Sequence, residues 1–344
     1  MNMKSEINIK RVIISAVIAT TLFSSLSAQS KVGTSAAPFL HIPVGAKAIA
    51  MGGAFTAIGD DPATLYWNPG AVSRSNKSRI YAMQTNWLVG SKHQWIGAQV
   101  QLGSADAVGF SINMLNYGDR EPITTVEEPN GTGEYWEASD LAFGVSYSRN
   151  LTDRFSIGGT VKYIQQQIWH ETSSQFGMDV GLLFITQFSG LRIGATIRNY
   201  GGDFRMEGRD LIEQVDLDTQ ASGNNETIVA YLKTDYWPMP LVFSVGAAMP
   251  VIDQRFLKVT VAADAVRPTD NMETVNTGVE VLISKMIGIR MGYQSLFGED
   301  NEQGLTAGLG LILPVKYADI IVDYSYQDFG LFGDITTMSL SIGF

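Results

Sequence analysis

The run Leu257-Lys258-Val259-Thr260-Val261-Ala262-Ala263-Asp264-Ala265 decides the fold. Leu257, Val259, Val261, Ala263 and Ala265 fall on one side of an extended chain, with Lys258, Thr260, Ala262 and Asp264 on the other. That period of two marks a strand between unlike environments. It returns where Ala318, Ile320, Val322, Tyr324 and Tyr326 interleave with Asp319, Ile321, Asp323 and Ser325. Fourteen such segments begin near residues 78, 93, 105, 138, 154, 173, 191, 238, 255, 273, 286, 303, 316 and 334. Tight turns such as Gly103-Ser104, Ser189-Gly190 and Ser284-Lys285 follow the even-numbered segments. The long polar insertions, 117–137 and 205–237, follow odd-numbered ones. A soluble sandwich has no reason to obey that parity, whereas an outer-membrane barrel has short periplasmic turns, longer outer loops and an even strand count.

Energetics fix the faces. Were Lys162, Asp179, Arg192, Arg198, Lys258, Asp264, Glu280, Arg290, Asp319 and Asp323 turned to lipid, each cation near the midplane would cost about 2 to 4 kcal/mol. They therefore face a lumen, and backbone saturation in hydrocarbon requires the sheet to close. The expected fold is an all-β membrane protein, a 14-stranded antiparallel barrel over residues 78–344. The last strand places Thr336, Met338, Leu340, Ile342 and Phe344 on one face, and Leu340, Ile342 and terminal Phe344 resemble a barrel insertion signal. Trp87, Trp95, Trp136, Trp169 and Trp237 fall at segment ends on the outer side and are expected to form an interfacial girdle. Tyr147, Phe155, Phe188, Phe256, Tyr317 and Phe344 are expected on the opposite rim.

Composition agrees. The 344 residues are 45% hydrophobic and 17% charged, with 35 glycines and a mean hydropathy of +0.06. After residue 30 no apolar run approaches the roughly 20 residues of a membrane helix. The absence of cysteine removes disulfides and thiolate chemistry, and a formal charge of −10 argues against nucleic acid. Residues 1–28 read as a signal peptide: Lys4, Lys10 and Arg11, an apolar stretch from Val12 to Phe23, and small residues to Ala28.

Residues 29–77 lead into the barrel, and 38–76 do not alternate. Gly45 to Met51 predicts a short helix broken by Gly52-Gly53. Asp61-Pro62 predicts a helix start, with Asp as cap, and Pro69-Gly70 its stop. A segment so short and glycine-rich fits inside a wide barrel as a plug. Its motif, Gly45-Ala46-Lys47-Ala48-Ile49-Ala50-Met51-Gly52-Gly53-Ala54-Phe55, then Asp60-Asp61-Pro62, then Tyr66-Trp67-Asn68-Pro69-Gly70, resembles the N-terminal signature of the PorV/PorQ family, related to FadL-like fourteen-stranded barrels. Gly70 departs from the alanine more usual there. The resemblance implies an accessory outer-membrane protein of type IX secretion in Bacteroidetes-like bacteria, binding translocon or C-terminal-domain cargo. FadL-like relatives imply an alternative, passive transport of hydrophobic small molecules through a wall kinked at Gly201 and Gly202.

Enzymatic chemistry finds little support. His41, His93 and His170 lie far apart, and His170 near Ser173 and Ser174 is the one arrangement that resembles a hydrolase pair. No metal or cofactor site is expected. Asp60 and Asp61 read as capping and anchoring groups rather than an acid and base pair. The insertions 117–137 and 201–237, with 297–303, sum to −13, an acidic rim that lipopolysaccharide could meet through divalent cations. Tyr135, Trp136, Tyr236 and Trp237 are the candidate aromatic anchors for a partner.

Overall fold

The computed structural model describes residues 32–216, 227–298 and 302–344; the expected signal peptide lies outside these. Fourteen long strands form the wall. They are β1 (Arg79–Asn86), β2 (Lys92–Leu102), β3 (Asp106–Asn116), β4 (Ala138–Asn150), β5 (Phe155–Ile168), β6 (Glu171–Ile185) and β7 (Arg192–Gly201). There follow β8 (Val242–Asp253), β9 (Leu257–Pro268), β10 (Thr274–Ile283), β11 (Ile287–Leu296), β12 (Leu305–Val315), β13 (Ala318–Asp328) and β14 (Asp334–Gly343). Each pairs antiparallel with its sequence neighbour, and β1 closes on β14 with Arg79 opposite Gly343 and Asn86 opposite Thr336. No edge is left, the condition for a sheet in hydrocarbon.

All fourteen segments start within four residues of where alternation places them, and the largest gap is at β8, expected at 238 and found at Val242. Pro238 and Pro240 lack the N–H a ladder needs, so pairing waits until they are passed. Pro250, inside β8, sits at a bulge against β9, where a missing donor is tolerated. In β14, Thr337, Ser339, Ser341 and Gly343 are buried while Met338, Leu340, Ile342 and Phe344 are exposed. Polar side chains line the lumen and apolar ones face outward, so the core of this molecule is the contents of the cylinder.

Those contents are residues 32–78. Helix α1 (Ala46–Ala50) ends as predicted: Gly53 N–H bonds Ala48 O and Gly52 N–H bonds Ile49 O, with Gly52 and Gly53 at φ of 66° and 75°, a helix-terminating motif that favours glycine. Asp61 Oδ1 accepts from Ala63 N–H at 2.8 Å just before helix α2 (Thr64–Trp67). The predicted stop at Pro69-Gly70 holds for α2, but a further turn that the sequence did not announce follows it. Extended Asn68 ends α2, and Pro69 opens a further 3-10 turn to Arg74 that the Asn68 side chain caps, because proline is well suited to the first position of a helical turn.

Candidate functional site

The plug meets the wall backbone to backbone. A Cβ placed on Gly278 would lie 2.3 Å from Met51 O, on Gly292 2.2 Å from Gly52 N, on Gly194 2.2 Å from Thr56 O and on Gly181 2.1 Å from the Asn68 amide oxygen. The wall therefore carries glycine where the plug main chain presses on it. Hydrogen bonds complete the seal. Asp264 Oδ2 accepts from Phe55 and Thr56 N–H, each at 2.8 Å, Thr306 Oγ1 accepts from Gly52 N–H at 3.0 Å, and Asn68 Nδ2 donates to Leu182 O at 3.0 Å. Trp67 is buried, its Nε1 donating to Val44 O at 2.7 Å, and the Arg198 guanidinium lies over Tyr66 and Trp67 at 4.8 and 5.3 Å.

Much of the charge inside the wall is paired, Lys162 with Asp179 at 2.8 Å among the pairs. Arg290 donates to Glu280 at 2.8 Å and to Asp323 at 2.7 Å. It reaches β13 across β12 because Gly310 leaves the space: a Cβ there would sit 2.6 Å from Arg290 Nη1. Lys47 of the plug joins at 3.3 Å from Glu280 and 3.9 Å from Asp60. The two neighbouring plug carboxyls part company. Lys47 draws Asp60 down to about 2, whereas burial pushes Asp61 up to about 6. Asp60 is 54% exposed to lumen solvent; Asp61 is buried among the plug's own turns.

A second apolar cluster caps the outer end: Phe39, Leu40 and Ile42 of the plug with Ile164, Phe204 and Met239. Phe204 and Trp237 exchange backbone hydrogen bonds, so the two ends of the long loop, at Phe204 and Met239, close together over the plug. Asp270, in the loop between β9 and β10, holds the plug's first residues, accepting from Ser35 and lying 3.3 Å from His41 Nε2. Sequence reasoning had no signal for Phe204 and Met239, since burial of a loop residue depends on what lies beneath it.

The girdle expectation needs correction for Trp95. It is buried in the lumen against Tyr81, with ring centroids 5.6 Å apart. Strand parity carries the signal, because Trp95 alternates with Ile96 and shares its face with buried His93, Gly97 and Gln99. Trp87 also turns inward, edge-on to Phe329. Trp136 and Trp237 are exposed, as are Tyr135 and Tyr236. Tyr135-Trp136 forms a two-residue ladder with Glu121-Pro122 in one outer loop, and Arg205 stacks on Tyr236 at 5.5 Å in the other. The two aromatic pairs therefore sit on separate loops.

His170 faces neither serine. Its Nδ1 bonds Asp210 at 2.7 Å and its Nε2 accepts from Arg209 at 2.6 Å. His93 is buried against Asn113 at 2.6 Å. Beneath the outer rim lies an apolar cavity of about 490 Å³ lined by Phe39, Ile42, Trp87, Leu88, Leu115 and Tyr117, among others. The wall beside Gly201 is bulged between Met178 and Val180, yet pairing resumes at once, Met178 opposite Tyr200 and Gly177 opposite Gly201. The bulge bends the wall without parting its ladder.

Comparison with known proteins places this architecture. No curated protein matches the chain. Solved structures do: the Ralstonia pickettii toluene transporter TbuX (13% identity, TM-score 0.52, 87% of this chain and 97% of that one), the CymD monoaromatic hydrocarbon channel (11%, 0.54, 88% and 97%) and a Pseudomonas aeruginosa FadL homologue (12%, 0.50, 88% and 98%). At such identities the likeness concerns the fold alone. The family model described as type IX secretion system protein PorV matches residues 25–209, the plug and the first seven strands. With more than half its length matched and a closed fourteen-stranded wall around a plug, the chain belongs to the PorV family and is an outer-membrane barrel protein of type IX secretion.

Proposed function

We propose that the barrel works at its outer rim, as a receiver that binds C-terminal-domain cargo or the translocon and hands on what it binds, without catalysis. The observation that carries this reading is the filled lumen. A plug pressed onto wall glycines and bonded to Asp264, Thr306 and Leu182 offers nothing for a protein to pass through, which leaves the loops as the working surface. There, exposed Tyr135, Trp136, Tyr236 and Trp237 provide rigid aromatic area of the kind that dominates interface energetics, within loops whose charge is strongly negative.

Deleting residues 205–235 tests it. Insertion and heat-modifiable migration of the barrel are expected to persist, while secretion of C-terminal-domain proteins and capture of purified cargo fall sharply. Unchanged secretion and capture would defeat the reading. Lipopolysaccharide is a second rim partner on the same charge argument, through divalent bridges, and chelation is expected to weaken association with vesicles containing it. One observation favours uptake of hydrophobic molecules instead, the apolar cavity near the mouth. Liposomes bearing the protein and a labelled fatty acid separate the two, since a receiver gives no accelerated uptake.

A further inference from the structure

On its lipid side the wall is hollowed where β4 to β8 run together. An apolar groove of about 460 Å³ crosses these five strands. It runs from Phe243 on β8 through Ile197, Val180 and Gly159 to Tyr147 on β4, each opposite the next in register. Two adjacent glycines on β5 face opposite ways. Gly158 faces inward, where a Cβ would lie 2.3 Å from the plug's Pro69 O, whereas a Cβ on outward Gly159 would meet only Asp179 O at 3.3 Å. The plug therefore explains the first glycine and not the second, whose missing side chain opens the floor of the groove. Ala195 continues that floor, and the bulge between Met178 and Val180 bends the wall at the same place.

Strands about 4.8 Å apart make the groove about 19 Å long, and its volume then leaves a cross-section of about 24 Å². That is the girth of one extended hydrocarbon chain, and an α-helix, about 10 Å across, does not fit it. One end is polar. Tyr147, Arg149 and Leu151 line it beside the short turn into β5, which by its length lies on the periplasmic side. Arg149 is 57% exposed and its Nε comes no nearer to Asp106 than 3.6 Å, while the Tyr147 hydroxyl also donates to that carboxylate. A guanidinium so loosely held, at the edge of the hydrocarbon, is suited to a phosphate. We propose that the groove is a lipid site holding one glycerophospholipid of the periplasmic leaflet, an acyl chain along Gly159 and Ala195 and the phosphate on Arg149. Lipid tails are as apolar as the groove, so burial alone selects nothing; fit and the headgroup contact do. The bound chain restores the thickness of the wall over its glycine floor, and the site does not depend on the rim reading.

The test photo-labels the full chain in phosphatidylethanolamine nanodiscs containing a trace of the same lipid with a diazirine in its acyl chain. Native mass spectrometry in mild detergent reads retained lipid. Labelling across 155–159 and 193–197 is expected to exceed that around Leu309 and Leu311 on β12, which are also exposed to lipid, at least fivefold, with one phospholipid retained per barrel. Gly159→Leu fills the floor and is expected to cut both readings at least fivefold. Arg149→Gln is expected to weaken retention of phosphatidylethanolamine at least fivefold and to leave that of palmitic acid unchanged. Uniform labelling around the wall with no retained lipid overturns the site. Palmitic acid held by the wild type as tightly as phosphatidylethanolamine overturns the phosphate contact, and lipid A held in preference overturns the periplasmic leaflet. In native outer-membrane vesicles, a protein cross-linked at this groove in place of lipid overturns lipid as the occupant. Because labelling is read on the wild type, a variant that fails to fold does not spoil the test.

Discussion

Between Gly45 and Arg74 the chain touches the wall at nearly every turn, through glycine contacts, an internal carboxylate and a stacked guanidinium. The described residues between Asp203 and Tyr236 are fastened around His170 and Phe204 and show large apolar side chains to water. The first region spends its residues on immobility and the second on access. Sequence near a plugged lumen is constrained by packing, whereas sequence at the rim is free to serve a partner, so the two regions should answer mutation in opposite ways.

The largest effect is expected from Arg290→Met, which strands Asp323 without its cation and leaves Glu280 only Lys47. Breaking a buried charge network of this kind costs about 3 to 5 kcal/mol, visible as a lowered thermal transition in detergent. Next comes Gly292→Ala, whose Cβ would lie 2.2 Å from Gly52 N. Overpacking there should cost about 1 to 3 kcal/mol. The paired control, Gly304→Ala near the rim, meets nothing closer than the Tyr293 hydroxyl at 3.9 Å and should change stability by less than about 0.5 kcal/mol. Equal losses at the two glycines would erase the contrast.

A pH experiment sharpens it further. Asp61 titrates near 6 when buried in the plug against an ordinary 3.8, so between pH 4 and 6 the native state holds more protons than the unfolded one. Stability therefore falls as pH rises through that window. Asp60 moves the other way, but its lowered value of about 2 confines its loss of stability to acid below 3.8. Asp61→Asn keeps the cap acceptor and removes the charge. It should flatten the slope between pH 4 and 6 and raise stability at pH 7 by about 1 to 2 kcal/mol, with no gain below pH 4. The smallest effect on stability is expected at the rim, where Tyr135→Ser with Trp136→Ser should leave the transition within about 0.5 kcal/mol while binding to cargo drops, as measured by surface capture.

Much of this was legible in the chain itself. Period two and turn parity place the strands because a barrel wall has only two faces and two ends, and each residue must satisfy both. Trp95 escaped a count based on segment ends, although its own alternation with Ile96 shows its direction. The Arg290 network was legible only in part. Glu280 stands directly opposite Arg290, but Asp323 lies two strands away and is reached through the space at Gly310, which no local pattern contains. The burial of Phe204 and Met239 was not legible at all, because both owe it to a plug some 160 to 200 residues earlier in the chain.

The course of the plug through the cylinder has a consequence for biogenesis. Its leading residues, Ser35 to His41, lie under the outer loops, held by Asp270, while its trailing end at Ser78 passes into β1, the strand that seals against β14. A finished wall would have to be threaded from one opening to the other by a cork wider than a bare chain. Assembly in which the seam between first and last strands zips shut around an already seated cork avoids that passage, and makes the order of events during insertion a property written into the topology.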